Sequence, residues 1–178
     1  MRKFNPALLL ILPLLAILVA ACTSESLPIG KPAKGETLII SIDQLERAQE
    51  IRYEGTDGKH YLVALTNLDN EFVVLNMNVH NAEATIVQMD IEGDAVRLRG
   101  FGNNEEFPVV EVRPRDDANV IVVDTVHPAE NRFVPFIIGP LEVPQGNSLI
   151  GWIAFELPKG LDIRELRWGA GDIVFLRS

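Results

Sequence analysis

The chain has 178 residues, 47% of them hydrophobic, with 16 Lys and Arg set against 25 Asp and Glu, which describes one globular domain of modest size. A formal net charge of -9 argues against a nucleic-acid partner, because phosphate contact needs clustered Lys and Arg. A single cysteine excludes an intrachain disulfide.

At the N-terminus, Met1, Arg2 and Lys3 supply positive charge, and Ala7 to Ala21 is apolar apart from the break at Pro13. Val19-Ala20-Ala21 then places small residues directly before Cys22. These residues resemble the lipobox of bacterial lipoprotein signal peptides. The resemblance implies removal of residues 1–21 and transfer of a diacylglyceryl group to the Cys22 thiol, with acyl chains such as palmitate as the anchor. An uncleaved membrane helix and an ordinary secretory signal are the alternatives. The apolar run is shorter than the ~20 residues that span a bilayer, and Pro13 interrupts it. An ordinary signal needs no cysteine at the cut, whereas the only cysteine of this chain stands there. Two acyl chains suffice for stable anchoring. The expected partner is therefore the lipid bilayer, through acylated Cys22, on the extracytoplasmic face of the cell membrane.

Residues 22–35 are expected to form the lipidated cysteine and a flexible tether. Thr23 to Glu36 reads TSESLPIGKPAKGE, without hydrophobic periodicity, and reaches at most about 50 Å when extended. The first 35 residues hold four of the basic and one of the acidic side chains, which leaves 12 basic and 24 acidic residues and a net charge of -12 in residues 36–178. Such a body is repelled by anionic lipid.

Asp43 followed by Glu46 has the form of a capping box, and Leu45, Ala48 and Ile51 fall at helical spacing, so one short helix is predicted here. Beyond it the period is two. Val73, Leu75, Met77 and Val79 alternate with Val74, Asn76, Asn78 and His80, the pattern of a strand with one buried and one wet face. Val87, Met89 and Ile91 lead through Glu92-Gly93-Asp94 to Val96 and Leu98, read as a hairpin. Further strands are predicted at Thr37 to Ile42, Tyr61 to Thr66, Phe107 to Val112, Val120 to Val126, Phe133 to Ile138, Leu149 to Glu156 and Asp172 to Leu176. The links between them include Gly100 to Asn104, Pro114 to Asn119, Pro140 to Asn147 and Pro158 to Gly160. Many short strands with turn residues between them give an all-β, antiparallel sandwich over residues 36–178.

Within that region Pro144 and Gly146 precede Gly151, Trp152, Phe155, Glu156 and Pro158, and Trp168 and Asp172 precede the last apolar strand. Upstream, FVVLNMNVHN closes on Asn81. These stretches resemble an immunoglobulin-like (telokin-like, secreted-antigen-like) domain of unknown function found in bacterial lipoproteins. The resemblance implies an immunoglobulin-like sandwich and an envelope location, and it brings no catalytic residues.

A blue-copper site needs a cysteine ligand, and Cys22 is committed to lipid. Met77 and His80 point to opposite faces of one strand, which separates them as ligands with Met89. Asp90, Glu92 and Asp94 around Gly93 suggest half of a calcium loop, but Val96 to Arg99 follow where further oxygen ligands are required. Asp116 and Asp117 beside Arg113 and Arg115, and His127 near Glu130, read as loop ion pairs. No nucleophile elbow surrounds Ser148, and nothing in the sequence marks His60, His80 or His127 as its base. Trp152 and Trp168 read as core, with stacking on a sugar as the alternative. The function expected is a non-enzymatic interaction module, without cofactor or metal, for another protein of the cell envelope. The alternative is capture of a small ligand or metal ion by the acidic loops, with Asp90, Glu92, Asp94, Asp116 and Asp117 as candidates. An envelope enzyme ranks last.

Overall fold

A computed structural model describes residues 27–102, 105–115 and 119–177. Its strands are β1 (Ala33–Lys34), β2 (Leu38–Ala48), β3 (Ile51–Glu54), β4 (His60–Val63), β5 (Asn70–Asn81), β6 (Ile86–Ile91), β7 (Val96–Gly100), β8 (Glu106–Pro108), β9 (Val120–Val123), β10 (Gly139–Pro144), β11 (Ser148–Pro158), β12 (Ile163–Trp168) and β13 (Val174–Arg177). They form sheets in the orders β1-β2-β5-β11, β13-β12-β7-β8, β10-β6 and β3-β4-β9, every pairing antiparallel. The fold is an all-β, antiparallel sandwich.

The odd-numbered residues Val73, Leu75, Met77 and Val79 of β5 enter the principal core, with Ile40, Ile42, Ile153 and Phe155 from the flanking strands and Leu98, Leu166 and Trp168 from the facing sheet. Alternation thus builds this layer as expected. The other face of β5 is not uniformly wet. Phe72 and Val74 are buried in a second core with Ile51, Tyr53, Tyr61, Val63, Phe133 and Trp152, beneath the sheet β3-β4-β9. β5 is therefore apolar on both faces in its first half and on one face in its second.

The predicted helix over Asp43 to Ile51 is absent: its residues lie in β2 and at the start of β3. The cause is a bulge between Ile42 and Gln44. One extra residue flips the inward parity from Ile40 and Ile42 to Leu45, so the apolar residues at the bulge are three apart and imitate a helical period. Leu45 packs on the principal core, whereas Ala48 and Ile51 serve the second. The long partner β5 decides the outcome over local propensity.

The expected hairpin at Glu92 to Asp94 is a crossover. A 3-10 turn at Gly93–Ala95 carries the chain from β6, paired with β10, to β7, paired with β12 and β8. The link read at Pro140 to Asn147 contains β10, and only its end is a turn. Pro140 and Pro144 are tolerated because β10 has one hydrogen-bonded neighbour. The strand expected at Phe133 to Ile138 is reduced to a parallel bridge from Phe136 to Trp152.

The residues read as the end of a tether belong to the fold. Leu27 is 3% exposed within the principal core. The Gly30 amide donates to the Ile42 carbonyl at 2.7 Å, and Ala33 and Lys34 pair with Ile40 and Ile39. The ordered body therefore begins before residue 36. Cys22 and residues 1–21, where a signal peptide is expected, lie outside the described residues.

Candidate functional site

The positions that carried the family resemblance are structural anchors. Asn81 is fully buried and donates through Nδ2 to the carbonyls of Ala84 and Val143, both at 2.8 Å, while its Oδ1 accepts from the Ala84 amide at 3.1 Å. Gly146, with φ of +77°, donates its amide to the Asn81 carbonyl at 2.8 Å. Asp172 holds the start of β2: its Oδ2 accepts from the amides of Thr37 at 2.7 Å and Leu38 at 2.9 Å. Burial pushes this carboxyl up, but those amides outweigh burial and hold it below the usual Asp range. Glu156 is likewise held low against burial, by the Thr66 and Asn67 amides and by Asn70. Trp168 is fully buried and satisfies its indole N–H on the Ala170 carbonyl at 2.7 Å. Trp152 packs edge-on to Phe133, centroids 5.2 Å apart. Neither indole stands free for a sugar.

Among the described residues, the acidic candidates Asp90, Glu92 and Asp94 are not gathered into one site. Glu92 accepts from Arg113 and from Arg115, the latter at 2.8 Å, and these two arginines also bind Glu111 at 2.8 and 3.3 Å. The hydrogen bonds from Arg113 and Arg115 pull the Glu92 carboxyl below the usual Glu range. Asp94 pairs with Arg97 at 2.8 Å, and Asp90 stands exposed on β6 beside Glu142 in a shallow groove. Asp116 and Asp117 lie outside the described residues. Among the described residues no group of three or more His, Cys, Asp or Glu is arranged to hold a metal ion. Met77 and Met89 are core residues, as parity implied, and Glu130 accepts from the His127 amide at 3.0 Å.

One proximity escaped the sequence. His80 and Ser148 are cross-strand partners on β5 and β11, with Nδ1 3.1 Å from Oγ. The register of the two strands makes the pair, and register is a tertiary property. The pair lies at an exposed position, outside the cleft described next.

That cleft, of about 740 Å³, lies where β3 and the β3–β4 turn meet the segments around Val112 and around Phe136. Tyr53 and Tyr61 are cross-strand partners whose rings stack at 5.3 Å, and Phe136 meets Tyr53 edge-on at 5.3 Å. Val134, Pro135 and Ile138 continue the apolar wall. Both phenols are tethered: the Tyr53 hydroxyl donates to the Val112 carbonyl, and that of Tyr61 donates to Asp57 at 2.6 Å. Burial, reinforced by Tyr61 and Asp57, pushes the Tyr53 phenol up to about 12, so it stays neutral at any physiological pH. The hydrogen bond from Tyr61 keeps the Asp57 carboxyl below the usual Asp range, and hence charged. Gly55 is required beneath the ring, since a Cβ there would stand 2.7 Å from Tyr61. Gly151 lets the Phe136 segment lie flat on β11: a Cβ would stand 2.6 Å from the Pro135 carbonyl oxygen, which accepts from the Trp152 amide at 2.8 Å.

The cleft is thus an aromatic-lined concavity with Glu54 and Asp57 at its edge. Arg113 also lines it, but its charge is engaged by Glu111 and Glu92. This combination holds an apolar or aromatic group and favours one that carries positive charge. Sequence reasoning passed over it because Tyr53, Tyr61 and Phe136 come from separate segments, and one of them lay in the predicted strand at Phe133 to Ile138. No family model matches the chain, and no curated protein or solved structure matches it either.

Proposed function

We propose that this chain is a lipid-anchored, extracytoplasmic binding protein of the cell envelope, whose immunoglobulin-like sandwich presents the Tyr53, Tyr61 and Phe136 cleft to an aromatic, cationic group of a partner. The anchor rests on Cys22 following Val19-Ala20-Ala21. The binding role rests on one observation, a preformed aromatic cleft whose polar groups are fixed in hydrogen bonds within the fold. The reading is non-enzymatic: the carboxylates Asp57, Glu156 and Asp172 each hold a turn or strand in place.

The test uses the full acylated chain in detergent, titrated with tyramine, an aromatic amine small enough for the cleft. A ligand of the native state raises Tm, and the rise grows with the logarithm of its concentration above Kd. The expected result is a concentration-dependent rise that Phe136→Ser abolishes. No rise, or an equal rise in the variant, overturns the cleft as the binding site. Mass measurement of the mature N-terminal peptide tests the anchor separately: an acylated peptide starting at Cys22 is expected, and an unmodified one contradicts it.

A further inference from the structure

β9 is the edge of the sheet β3-β4-β9. It pairs with β4 from Val120 to Val123, and among the described residues no strand pairs with its other side. Sheet edges are ordinarily blunted by charge, proline or a bulge, because unpaired N–H and C=O groups invite another strand. β9 reads Val-Ile-Val-Val and carries none of these devices. Ile121 and Val122 point to opposite faces and are 51% and 64% exposed.

The register connects this edge to the cleft. Val122 opposes Tyr61, and Tyr61 opposes Tyr53, so the three form one row across the sheet on the side that carries the cleft. Tyr53 and Tyr61 are buried, while Val122, next in the row, is open. A strand laid against β9 would add the next member of that row. His60 opposes Val123, which puts the β3–β4 turn with Asp57 at the same end of the sheet as Asp124, the residue after β9. Both carboxylates are exposed there.

We propose that β9 is a docking edge that accepts an extended segment of a partner protein as the fourth strand of this sheet. The segment places an apolar or aromatic side chain beside Val122, next in the row that runs back to Tyr61, and Lys or Arg toward Asp57 and Asp124. This deepens the reading of the cleft given above and rests on it. Backbone hydrogen bonds supply affinity in such strand addition, and alternate side chains supply selectivity. A second copy of this chain is the weaker fit. Residues 27–178 hold 14 basic and 24 acidic side chains, a net charge of -10, and such bodies repel one another.

The probe is the hexapeptide acetyl-Lys-Phe-Lys-Val-Thr-Val-amide, titrated calorimetrically into the full acylated chain in detergent. A strand donates hydrogen bonds to one neighbour from alternate residues only. Methylating the backbone nitrogens of one alternate set is therefore expected to weaken binding at least tenfold, and methylating the other set less than threefold. Val122→Lys, a change at an exposed position, is expected to weaken binding tenfold or more, and the peptide with Glu in place of Lys to show none. Equal binding of the two methylated peptides overturns strand addition. If tyramine still raises Tm through Phe136 in that case, the cleft survives and only the edge fails; if it does not, both fail. A dimer seen by sedimentation without peptide and dissociated by Val122→Lys overturns the assignment in favour of self-pairing.

Discussion

The principal core and the smaller core beneath β3-β4-β9 share a strand, β5, yet differ in how they are finished. Around the first, buried Asn81 and Trp168 and half-buried Asp172 close on backbone partners, while Asn78 Oδ1 and Arg99 Nε are buried without a hydrogen-bond partner. The second has a well-packed base of Phe72, Val74 and Trp152, but its outer side is left open, with Phe136 half-buried and Val122 exposed. Buried polar groups closed on the backbone, as at Asn81 and Trp168, help to specify a fold. Exposed apolar surface continuous with a concavity marks the part that meets something else. On the proposed reading, the difference separates scaffold from working surface.

The largest effect that can break this distinction is on stability. Trp168→Ala is expected to cost about 3 to 5 kcal/mol, as loss of a buried aromatic usually does. Phe136→Ala, at a half-exposed wall of the cleft, should cost less than half as much. Denaturant midpoints decide the matter, and equal losses would erase the contrast between the two regions. Next comes Leu27→Ala, expected to cost about 2 to 4 kcal/mol because its side chain is buried in the principal core. A change within about 0.5 kcal/mol, the range of ordinary surface sites, would return Leu27 to a tether.

A smaller effect sharpens the account through pH. The folded-state carboxyls of Asp172 and Glu156 sit below their usual ranges, so the stability they contribute is present above the unfolded values near 4 and is lost as pH falls through the folded ones. Asp172→Asn should cost about 1.5 kcal/mol at neutral pH by weakening its charge-assisted bonds to the Thr37 and Leu38 amides. It should also flatten the fall in stability below pH 4. An unchanged acid limb of the stability curve would show that this carboxylate is not what pins β2. The smallest effect is expected at the ion pairs of the acidic loops. Glu92→Gln should leave the denaturant midpoint nearly unchanged, as loss of an exposed ion pair usually does. A clear fall in the midpoint would make the Arg113 and Arg115 network part of the scaffold.

The fold class was legible because period two dominates β6, β7 and the second half of β5, where one face meets the principal core. What misled was local. The bulge after Ile42 gave Leu45 a helical spacing, Pro140 and Pro144 disguised β10, and Arg164, Glu165 and Arg167 hid the alternation of β12. Glu165 is itself buried although charged, with Arg99 and Arg177 at 3.9 and 3.8 Å. The candidate site was less legible still. Its rings lie on β3, β4 and the Phe136 segment, brought together by pairing register, and no spacing in one dimension encodes that. The acidic residues were conspicuous in sequence because charge is visible without structure. In the fold, Glu92 and Asp94 turn to neighbouring arginines.

Amide hydrogen exchange of the full acylated chain, with and without the hexapeptide, tests the division between scaffold and working surface most directly. The account predicts slow exchange in β5 and β11 that the peptide leaves unchanged, and new protection confined to amides of Ile121 to Val123 and of the cleft segment from Val134 to Ile138. Protection gained instead along Gln88 to Glu92 and Leu141 to Glu142, or spread evenly over both cores, would contradict it.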